Sequence, residues 1–305
     1  MQPLHIKTPL IQSQTLKNTY GQDVSFKLES LQPSGSFKLR GIGRLCQQEL
    51  AKGAQSFVAS SGGNAGVAVA YSGIKLGVPT TVFIPSSSHP IYIKAIESFG
   101  ANVIIAGNNA GEAQINAMSF AKEHQAFYIH PYDHPDIWHG HSSIIDEVVS
   151  EHLPMPDAVI VSVGGGGLAC GILEGMHRHG WNDIPLIAVE TIGADVFAQS
   201  VKANHCVKLE SITSKATSLG ASYVAPKLLQ WTHEHPIKNI VISDKDAELG
   251  SIAFAKDQRL LVELASGAAL SLVYANHPII QNYQSILVIV CGGINTSHFN
   301  LEENE

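Results

Sequence analysis

Short apolar segments rich in β-branched residues alternate with longer amphipathic segments along most of the 305-residue chain. The short segments predict strands at residues 56–59, 80–84, 102–106, 126–130, 158–163, 186–189, 239–243 and 286–290. The segments between them predict helices at residues 66–76, 91–99, 111–124, 142–152 and 168–178. Strands that alternate with helices are typical of parallel sheets covered by helices on both faces. The pattern therefore predicts an α/β fold with open, twisted, mostly parallel sheets.

The predicted strands fall into two groups, which indicates two domains. Residues 42–130 carry four strands and can form a small α/β domain, while residues 1–41 and 131–305 would build a larger domain around the remaining strands. No Pro/Gly/Ser-rich linker separates the two groups. Ligands of such sheets bind beyond the carboxyl ends of the strands. We therefore expect the active site in the crevice between the domains.

Composition and charge exclude several classes of function. A content of 45% apolar and 15% charged residues describes an ordinary globular protein, and a net charge of −7 provides no basic surface for nucleic acid. No apolar run approaches the length of a bilayer span, and the N-terminus lacks a secretory apolar region. The sequence thus predicts a cytoplasmic protein without nucleic-acid or membrane partners.

The cysteines and histidines do not form a recognisable metal motif. The four cysteines are widely separated and fit reduced cytosolic thiols better than a disulfide framework or a zinc site. Fifteen histidines include no HExxH pattern, and those in the stretch 133–141 are interpreted as loop and helix-start residues.

Two segments in the first quarter of the chain could carry chemistry. Lys38 follows a turn in the segment Pro33–Gly41, lies beside Phe37 and precedes a predicted helix start. A lysine held out of bulk water is suited to covalent amine catalysis. The loop 60–66 contains three glycines and Asn64, and it joins a predicted strand to a predicted helix. Its small residues and the helix N-terminus suit a carboxylate ligand, although an ordinary tight turn explains the same pattern.

Two glycine-rich turns follow predicted buried strands in the second half of the chain. Gly164, Gly165, Gly166 and Gly167 precede Leu168 at a strand-to-helix turn and could form a cradle of amide groups for one phosphate. This turn is neither GxGxxG nor a Walker motif, which disfavours nicotinamide and nucleoside triphosphate ligands. Cys291 precedes the final glycines at the end of the last predicted strand and would point into the same crevice.

Taken together, the motifs PSGSFKLRG, SSGGNAG, VGGGGL and VCGGINTS resemble those of the fold-type II pyridoxal-phosphate enzymes, which share the tryptophan synthase β-like fold. Within that group the chain resembles the serine/threonine dehydratases over nearly its whole length. The resemblance implies pyridoxal 5′-phosphate as cofactor and an amino acid as substrate. It also implies a homodimer, and the chain ends too soon after Asn295 for a C-terminal regulatory domain to be expected.

The resemblance also assigns roles to individual residues. Lys38 would form the Schiff base with the cofactor, take the α-proton of the substrate and so promote β-elimination. The other cofactor-binding residues would be Phe37 on the pyridine ring, Asn64 at its phenolic oxygen, Gly164, Gly165, Gly166, Gly167 and Leu168 at the phosphate, and Cys291 at the pyridine nitrogen. The substrate would be held by Ser61, Gly62, Asn64 and Ala65. The expected products are pyruvate and ammonia from L-serine, and 2-oxobutanoate and ammonia from L-threonine.

A monovalent cation site, usually for potassium, is a further implication of the resemblance. Its ligands would be the Glu190 carboxylate and main-chain oxygens of Gly164, Ala194, Leu219 and Ala221. Oxygen ligands suit a hard cation. A solvated carboxylate at a strand end is the alternative interpretation of Glu190.

Two other functions remain open at this stage. A β-replacement enzyme of the cysteine synthase type would use the same scaffold, although such enzymes resemble the chain less around Phe37 and Cys291. A non-catalytic protein that binds pyridoxal phosphate would keep the cofactor site without turnover. The residues do not rank serine against threonine, because one methyl group in a pocket changes binding by only about 1–3 kcal/mol.

Overall fold

The computed structural model describes residues 1–299 and contains two mostly parallel β-sheets flanked by helices. This confirms the predicted α/β class. Within the described residues no helix is long and apolar enough to cross a bilayer. In chain order the strands are β1 (Leu10–Gln12), β2 (Asp23–Leu28), β3 (Phe57–Ala59), β4 (Thr80–Ile84), β5 (Asn102–Ile105), β6 (Phe127–Tyr128), β7 (Ala158–Ser162), β8 (Leu186–Thr191), β9 (Ile237–Ile242) and β10 (Ser285–Val290).

The helices alternate with these strands. They are α1 (Gln14–Tyr20), α2 (Lys38–Ala51), α3 (Asn64–Leu76), α4 (Pro90–Ser98), α5 (Ala110–Glu123), α6 (Pro135–Ser150), α7 (Gly167–Arg178), α8 (Val196–Ala203), α9 (Pro226–Trp231), α10 (Asp244–Gln258) and α11 (Leu264–Tyr274). Local sequence sets several boundaries: Ser243 and Asp246 form a capping box at the start of α10, and the Asn109 side chain caps α5.

The larger sheet has the strand order β1-β2-β10-β7-β8-β9, and the smaller sheet has the order β5-β4-β3-β6. All neighbouring strands are parallel except β1 and β2. Strand β7 is buried at every position, as expected of a central parallel strand with helices on both faces. The carboxyl end of β7 leads directly into the glycine turn before α7.

All eight predicted strands are present, with boundaries that shift by a few residues. Strands β1 and β2 were not predicted because β2 alternates polar and apolar residues without forming an apolar run and β1 is only three residues long. Helix α6 begins at Pro135 rather than at residue 142, because Pro135 occupies its first turn and the His134 side chain caps it. The stretch 133–141 was interpreted as loop and helix-start residues, and the helix starts within it, earlier than the predicted helix at 142.

The strands of the smaller sheet all lie within the predicted small domain, residues 42–130. Strand β10 pairs in parallel with β2, so the two ends of the chain meet in the larger sheet. Helix α2 begins at Lys38 and continues across the predicted boundary at residue 41. The domain boundaries themselves stay a prediction.

A buried charge network fixes the first turn of α2. The guanidinium of Arg40 is fully buried and donates to Glu29 Oε2 at 2.6 Å and to Glu147 Oε1 at 2.7 Å. Lys27 Nζ lies 2.5 Å from Glu147 Oε2. Two cations therefore face two carboxylates, which is the arrangement that makes buried charges tolerable. Because Arg40 lies two residues beyond Lys38, this network also restrains the position of Lys38.

Candidate active site

Lys38 lies in a pocket at the start of α2, and contacts with the last strand hold it there. The Phe37 N–H donates to the Cys291 carbonyl at 2.9 Å, and Ser36 forms an isolated β-bridge with Gly292. Residues that are far apart in the sequence thereby meet at one point. Lys38 Nζ donates to the Pro131 carbonyl oxygen at 2.7 Å.

Burial lowers the pKa of the Lys38 amine to about 8, against the opposing effects of Cys291 and Glu263. An amine with this pKa carries a substantial neutral fraction near physiological pH, and only the neutral amine attacks an aldehyde or accepts a proton. The structure thus gives Lys38 the chemistry that its sequence context suggests.

The glycine turn between β7 and α7 forms an open cradle beside Lys38. Gly166 has a φ of +87°, a conformation that favours glycine, and α7 begins at Gly167. A Cβ added to Gly165 would lie 2.5 Å from the Tyr132 ring, and one added to Gly167 would lie 2.6 Å from the Tyr132 carbonyl oxygen. Positions 165 and 167 therefore have no room for a side chain. Its N–H groups at the start of α7 suit a phosphate.

Asn64 begins α3 and faces the larger sheet. Its side-chain amide nitrogen donates to Glu263 Oε1 at 2.8 Å and lies 3.1 Å from Oε2. The Asn64 side-chain oxygen is buried and has no hydrogen-bond partner among residues 1–299. A buried, unpartnered oxygen in a pocket is a feature that a bound ligand would explain.

Cys291 lies at the carboxyl end of β10 and is buried. Its sulfur lies 3.4 Å from the Ser266 hydroxyl. Burial raises the pKa of the thiol to about 12, so Cys291 stays neutral at physiological pH. A neutral thiol next to a pyridine nitrogen would hold that nitrogen by hydrogen bonding and would leave it less protonated than a carboxylate would.

One pocket brings together all nine residues that were predicted to bind the cofactor. It is lined by Phe37, Lys38, Asn64, Gly164, Gly165, Gly166, Gly167, Leu168 and Cys291. The predicted substrate residues Ser61, Gly62 and Ala65 are not among its lining residues; they lie on the adjoining turn and first turn of α3. A Cβ on Gly62 would overlap the Ser88 hydroxyl, so a side chain at position 62 has no room beside Ser88.

Six further residues line the pocket and had no predicted role. They are Tyr132, Ser162, Ala169, Ser218, Glu263 and Ala265. Tyr132 adjoins the sequence stretch that was interpreted as a polar loop, and Ser218 lies in a 3-10 turn without any motif. The segment Val262-Glu263 contributed to the family resemblance. That contribution was the one sequence feature that could have marked Glu263 as a site residue.

The predicted cation ligands lie around the start of α8 and the cradle. Glu190 is buried, and its carboxylate accepts from the Phe197 N–H, the Ala198 N–H and the Asn239 amide at 2.8, 2.8 and 2.9 Å. Burial raises its pKa to about 7, although these three donors act in the opposite direction.

Gly164 lies next to Leu219, since a Cβ on Gly164 would lie 3.0 Å from the Leu219 oxygen. Ala194 closes the turn after β8 by donating to the Thr191 carbonyl, and Ala221 donates to the Leu219 carbonyl, each at 2.8 Å. Within residues 1–299 no cluster of three or more His, Cys, Asp or Glu side chains could hold a metal. The predicted cation site is not such a cluster, because Glu190 would be its only side-chain ligand and its other ligands would be main-chain carbonyl oxygens.

Comparison with known proteins identifies the family of the chain. A profile described as pyridoxal-phosphate dependent enzyme matches residues 1–292. A bovine protein named L-serine dehydratase/L-threonine deaminase is 44% identical over 306 residues, which cover 97% of this chain and 93% of the relative. The human protein of the same name is 43% identical with the same coverage.

A solved fungal L-serine ammonia-lyase from Rhizomucor miehei is similar in structure as well. Its TM-score is 0.91 at 35% identity, with 96% of this chain and 95% of that chain covered. Maize serine racemase has a TM-score of 0.88 at 24% identity, covering 95% of this chain and 89% of the racemase, which shows the shared fold. On these grounds, and with a buried lysine beside a glycine cradle, the chain belongs to the pyridoxal-phosphate dependent enzymes, among the relatives of L-serine dehydratase/L-threonine deaminase.

Proposed function

We propose that this protein is a lyase that converts L-serine to pyruvate and ammonia, and L-threonine to 2-oxobutanoate and ammonia. The observation that carries the proposal is the Lys38 amine, buried with a pKa of about 8 in one pocket with a glycine cradle. The names of its 40–44% identical relatives support the same reaction.

The pocket fits pyridoxal phosphate. The amide groups of Gly164 to Leu168 would hold the phosphate, Asn64 the phenolic oxygen and Cys291 the pyridine nitrogen, while Phe37 would lie against the ring. When bound, this cofactor supplies an aldehyde that captures the amino group of the substrate and a ring that withdraws electrons.

Lys38 would act as the base that removes the α-proton, because its pKa near 8 lets it accept and release a proton close to neutral pH. The cradle and the Asn64 loop would fix the substrate so that this proton lies within reach of the amine. Loss of the β-hydroxyl as water, followed by hydrolysis, gives one keto acid and one ammonia from each amino acid.

The substrate carboxylate would bind at the start of α3. Ser61 offers a hydroxyl, and Gly62, Asn64 and Ala65 lie where the first N–H groups of α3 are unpaired. Gly62 contributes backbone only, since a side chain there would overlap Ser88. Ser88 thus keeps this position small.

The neutral thiol of Cys291 would direct the outcome toward β-elimination. Without a carboxylate at the pyridine nitrogen, the ring withdraws electrons less strongly, and a carbanion next to it is stabilised less. Elimination of a β-leaving group removes the negative charge of the carbanion at once, whereas transamination requires that charge to persist.

The decisive test measures keto acid and bound cofactor together. Purified protein with pyridoxal phosphate should produce pyruvate from L-serine and 2-oxobutanoate from L-threonine, and Lys38→Ala should do neither. Lys52→Ala is a matched control, because Lys52 lies at the exposed end of the same helix. Full turnover by Lys38→Ala would refute the assignment.

The same assay separates the alternative functions. A β-replacement enzyme of the cysteine synthase type would form cysteine from O-acetylserine and sulfide far faster than pyruvate from serine. A non-catalytic binding protein would take up the cofactor and yield no keto acid from either amino acid.

Potassium bound by Glu190 and the carbonyl oxygens of Gly164, Ala194, Leu219 and Ala221 is part of the proposal. Gly164, in the cradle, lies next to Leu219, which supports a cation site at this position. A cation bound by both residues would stiffen the cradle. Exchange of potassium for sodium should lower turnover, and Glu190→Gln should remove that difference. Equal activity in both salts would exclude a selective cation site.

We also propose a cytoplasmic homodimer that acts on free amino acids, with a small domain at residues 42–130. Light scattering on the purified protein measures the oligomeric state. Limited proteolysis in the presence and absence of the cofactor would locate the domain boundaries.

A further inference from the structure

Glu263 is a buried carboxyl group in the pocket to which the family resemblance assigns no role. It immediately precedes α11, its side chain does not cap that helix, and the residue is 2% exposed. Among residues 1–299 it forms no ion pair, because the Lys38 amine donates instead to the Pro131 carbonyl. The burial of a carboxyl group that no cation neutralises is costly, so it requires another explanation.

Hydrogen-bond donors from several parts of the chain converge on this carboxyl. The Asn64 amide lies 2.8 and 3.1 Å from its two oxygens, and the Ser218 hydroxyl, the Tyr92 hydroxyl and the Asn295 N–H lie close enough to lower its pKa. Asn64 and Tyr92 belong to the region of the smaller sheet, whereas Ser218 and Asn295 belong to that of the larger sheet. The group therefore lies where the two regions meet at the pocket.

The contact with Glu263 determines the orientation of the Asn64 side-chain amide. Burial raises the pKa of the Glu263 carboxyl, and the hydrogen bond from Asn64 acts in the opposite direction by favouring the ionised form. In that form the carboxylate only accepts hydrogen bonds, so the amide faces it with nitrogen rather than oxygen. Asn64 lines the pocket, and its side-chain oxygen has no partner among residues 1–299. A nitrogen that meets the carboxylate through one N–H keeps its second N–H for a ligand. An Asn64 amide without such a neighbour could flip, so that its nitrogen and its oxygen would exchange positions.

We propose that Glu263 is a positioning residue that fixes the orientation of the Asn64 amide, so that Asn64 offers a hydrogen-bond donor to the ring oxygen of the bound cofactor. The inference rests on the proposed role of Asn64 at that oxygen. A phenolic oxygen that carries negative charge requires a donor, and a carbonyl oxygen in its place would repel it. Glu263 would thus act on the cofactor only through Asn64.

Gly292 supports this arrangement from the last strand. A Cβ on Gly292 would lie 2.6 Å from Glu263 Oε1 and 3.2 Å from the Asn64 side-chain nitrogen. The absence of a side chain at position 292 makes room for the pair. Gly292 therefore serves the contact between Glu263 and Asn64.

A double-mutant cycle tests the inference on the apoprotein. The affinity for pyridoxal phosphate and the visible absorption band of the bound cofactor are measured for the wild type, Glu263→Gln, Asn64→Ala and the double variant. Glutamine keeps the size of the side chain but can hold the amide in either orientation. We expect about tenfold weaker binding and a shifted band in Glu263→Gln, which corresponds to the loss of one hydrogen bond. In the Asn64→Ala background the same substitution should change neither quantity.

A matched pair elsewhere in the chain provides the control. Asn109 donates to Glu112 at 2.8 Å in an exposed pair on α5, and Glu112→Gln should leave affinity and spectrum unchanged. Should Glu263→Gln fail to fold, Glu263→Asp retracts the carboxylate from Asn64 and is carried through the same cycle.

Additive losses in the double variant would overturn the inference, because they would show that Glu263 acts independently of Asn64. Wild-type affinity and spectrum in Glu263→Gln would overturn it as well. A failure of the proposed function looks different, since the wild-type apoprotein would then fail to take up the cofactor or to yield keto acid.

Discussion

The Lys38 amine should lose its proton near pH 8, more than two pH units below an ordinary lysine. The cause is burial, which disfavours the charged ammonium, while Cys291 and Glu263 oppose the effect only in part. Raising the pH through 8 therefore converts Lys38 to its neutral, nucleophilic form. An exposed lysine remains charged over the same interval.

The size of the effect follows from the two pKa values. At pH 7 a group with a pKa of about 8 is roughly one-tenth neutral, whereas a free lysine with a pKa near 10.5 is neutral in roughly one molecule in 3,000. The ratio is about 300, and this sets the expected advantage of Lys38 in capturing an aldehyde at that pH.

Reductive trapping measures this advantage directly. The apoprotein is mixed with pyridoxal phosphate between about pH 6 and pH 10 and reduced with borohydride, and the labelled lysines are quantified by peptide mass spectrometry. Lys52 serves as the internal reference, because its exposed amine pairs with Glu49, which raises its pKa. Labelling of Lys38 should level off above pH 8. A parallel rise of both lysines up to pH 10 would refute the burial argument.

Three further substitutions test the architecture around Lys38. Gly165→Ala should abolish cofactor binding because the new methyl group would lie 2.5 Å from the Tyr132 ring, and fluorescence titration with pyridoxal phosphate measures the loss; unchanged affinity would contradict the tight cradle. Gly62→Ser should weaken serine turnover through its overlap with the Ser88 hydroxyl, and Ser88→Gly should restore it if that overlap is the cause. Arg40→Met should lower the free energy of unfolding by about 3–5 kcal/mol, since it leaves the buried Glu29 carboxylate without a cation, while Glu147 keeps Lys27. Urea denaturation measures that change, and a loss below about 1 kcal/mol would show that the network contributes little.

Much of the fold could be predicted because its central strands are continuous apolar runs. Strands such as β7 are buried on both faces and need no tertiary information to be found. Strand β2 was missed because it alternates polar and apolar residues instead of forming an apolar run, and β1 was missed because it has only three residues. The start of α6 was missed for a similar reason, since its capping His134 lies in a polar stretch.

The sequence by itself determined the chemical groups of the site. Lys38, Asn64, the four glycines from Gly164 and Cys291 each stand in a local motif, because a helix start, a turn or a strand end demands particular residues at particular spacings.

Only the tertiary structure decided how those groups act on one another. Burial, which depends on residues far away in the chain, moves the pKa of Lys38 to about 8 and that of Cys291 to about 12. The contact between Asn64 and Glu263 joins residues 199 positions apart, and Ser88 reaches the space beside Gly62 from another turn. Desolvation and side-chain orientation are properties of the packed chain, and no local pattern in the sequence specifies them.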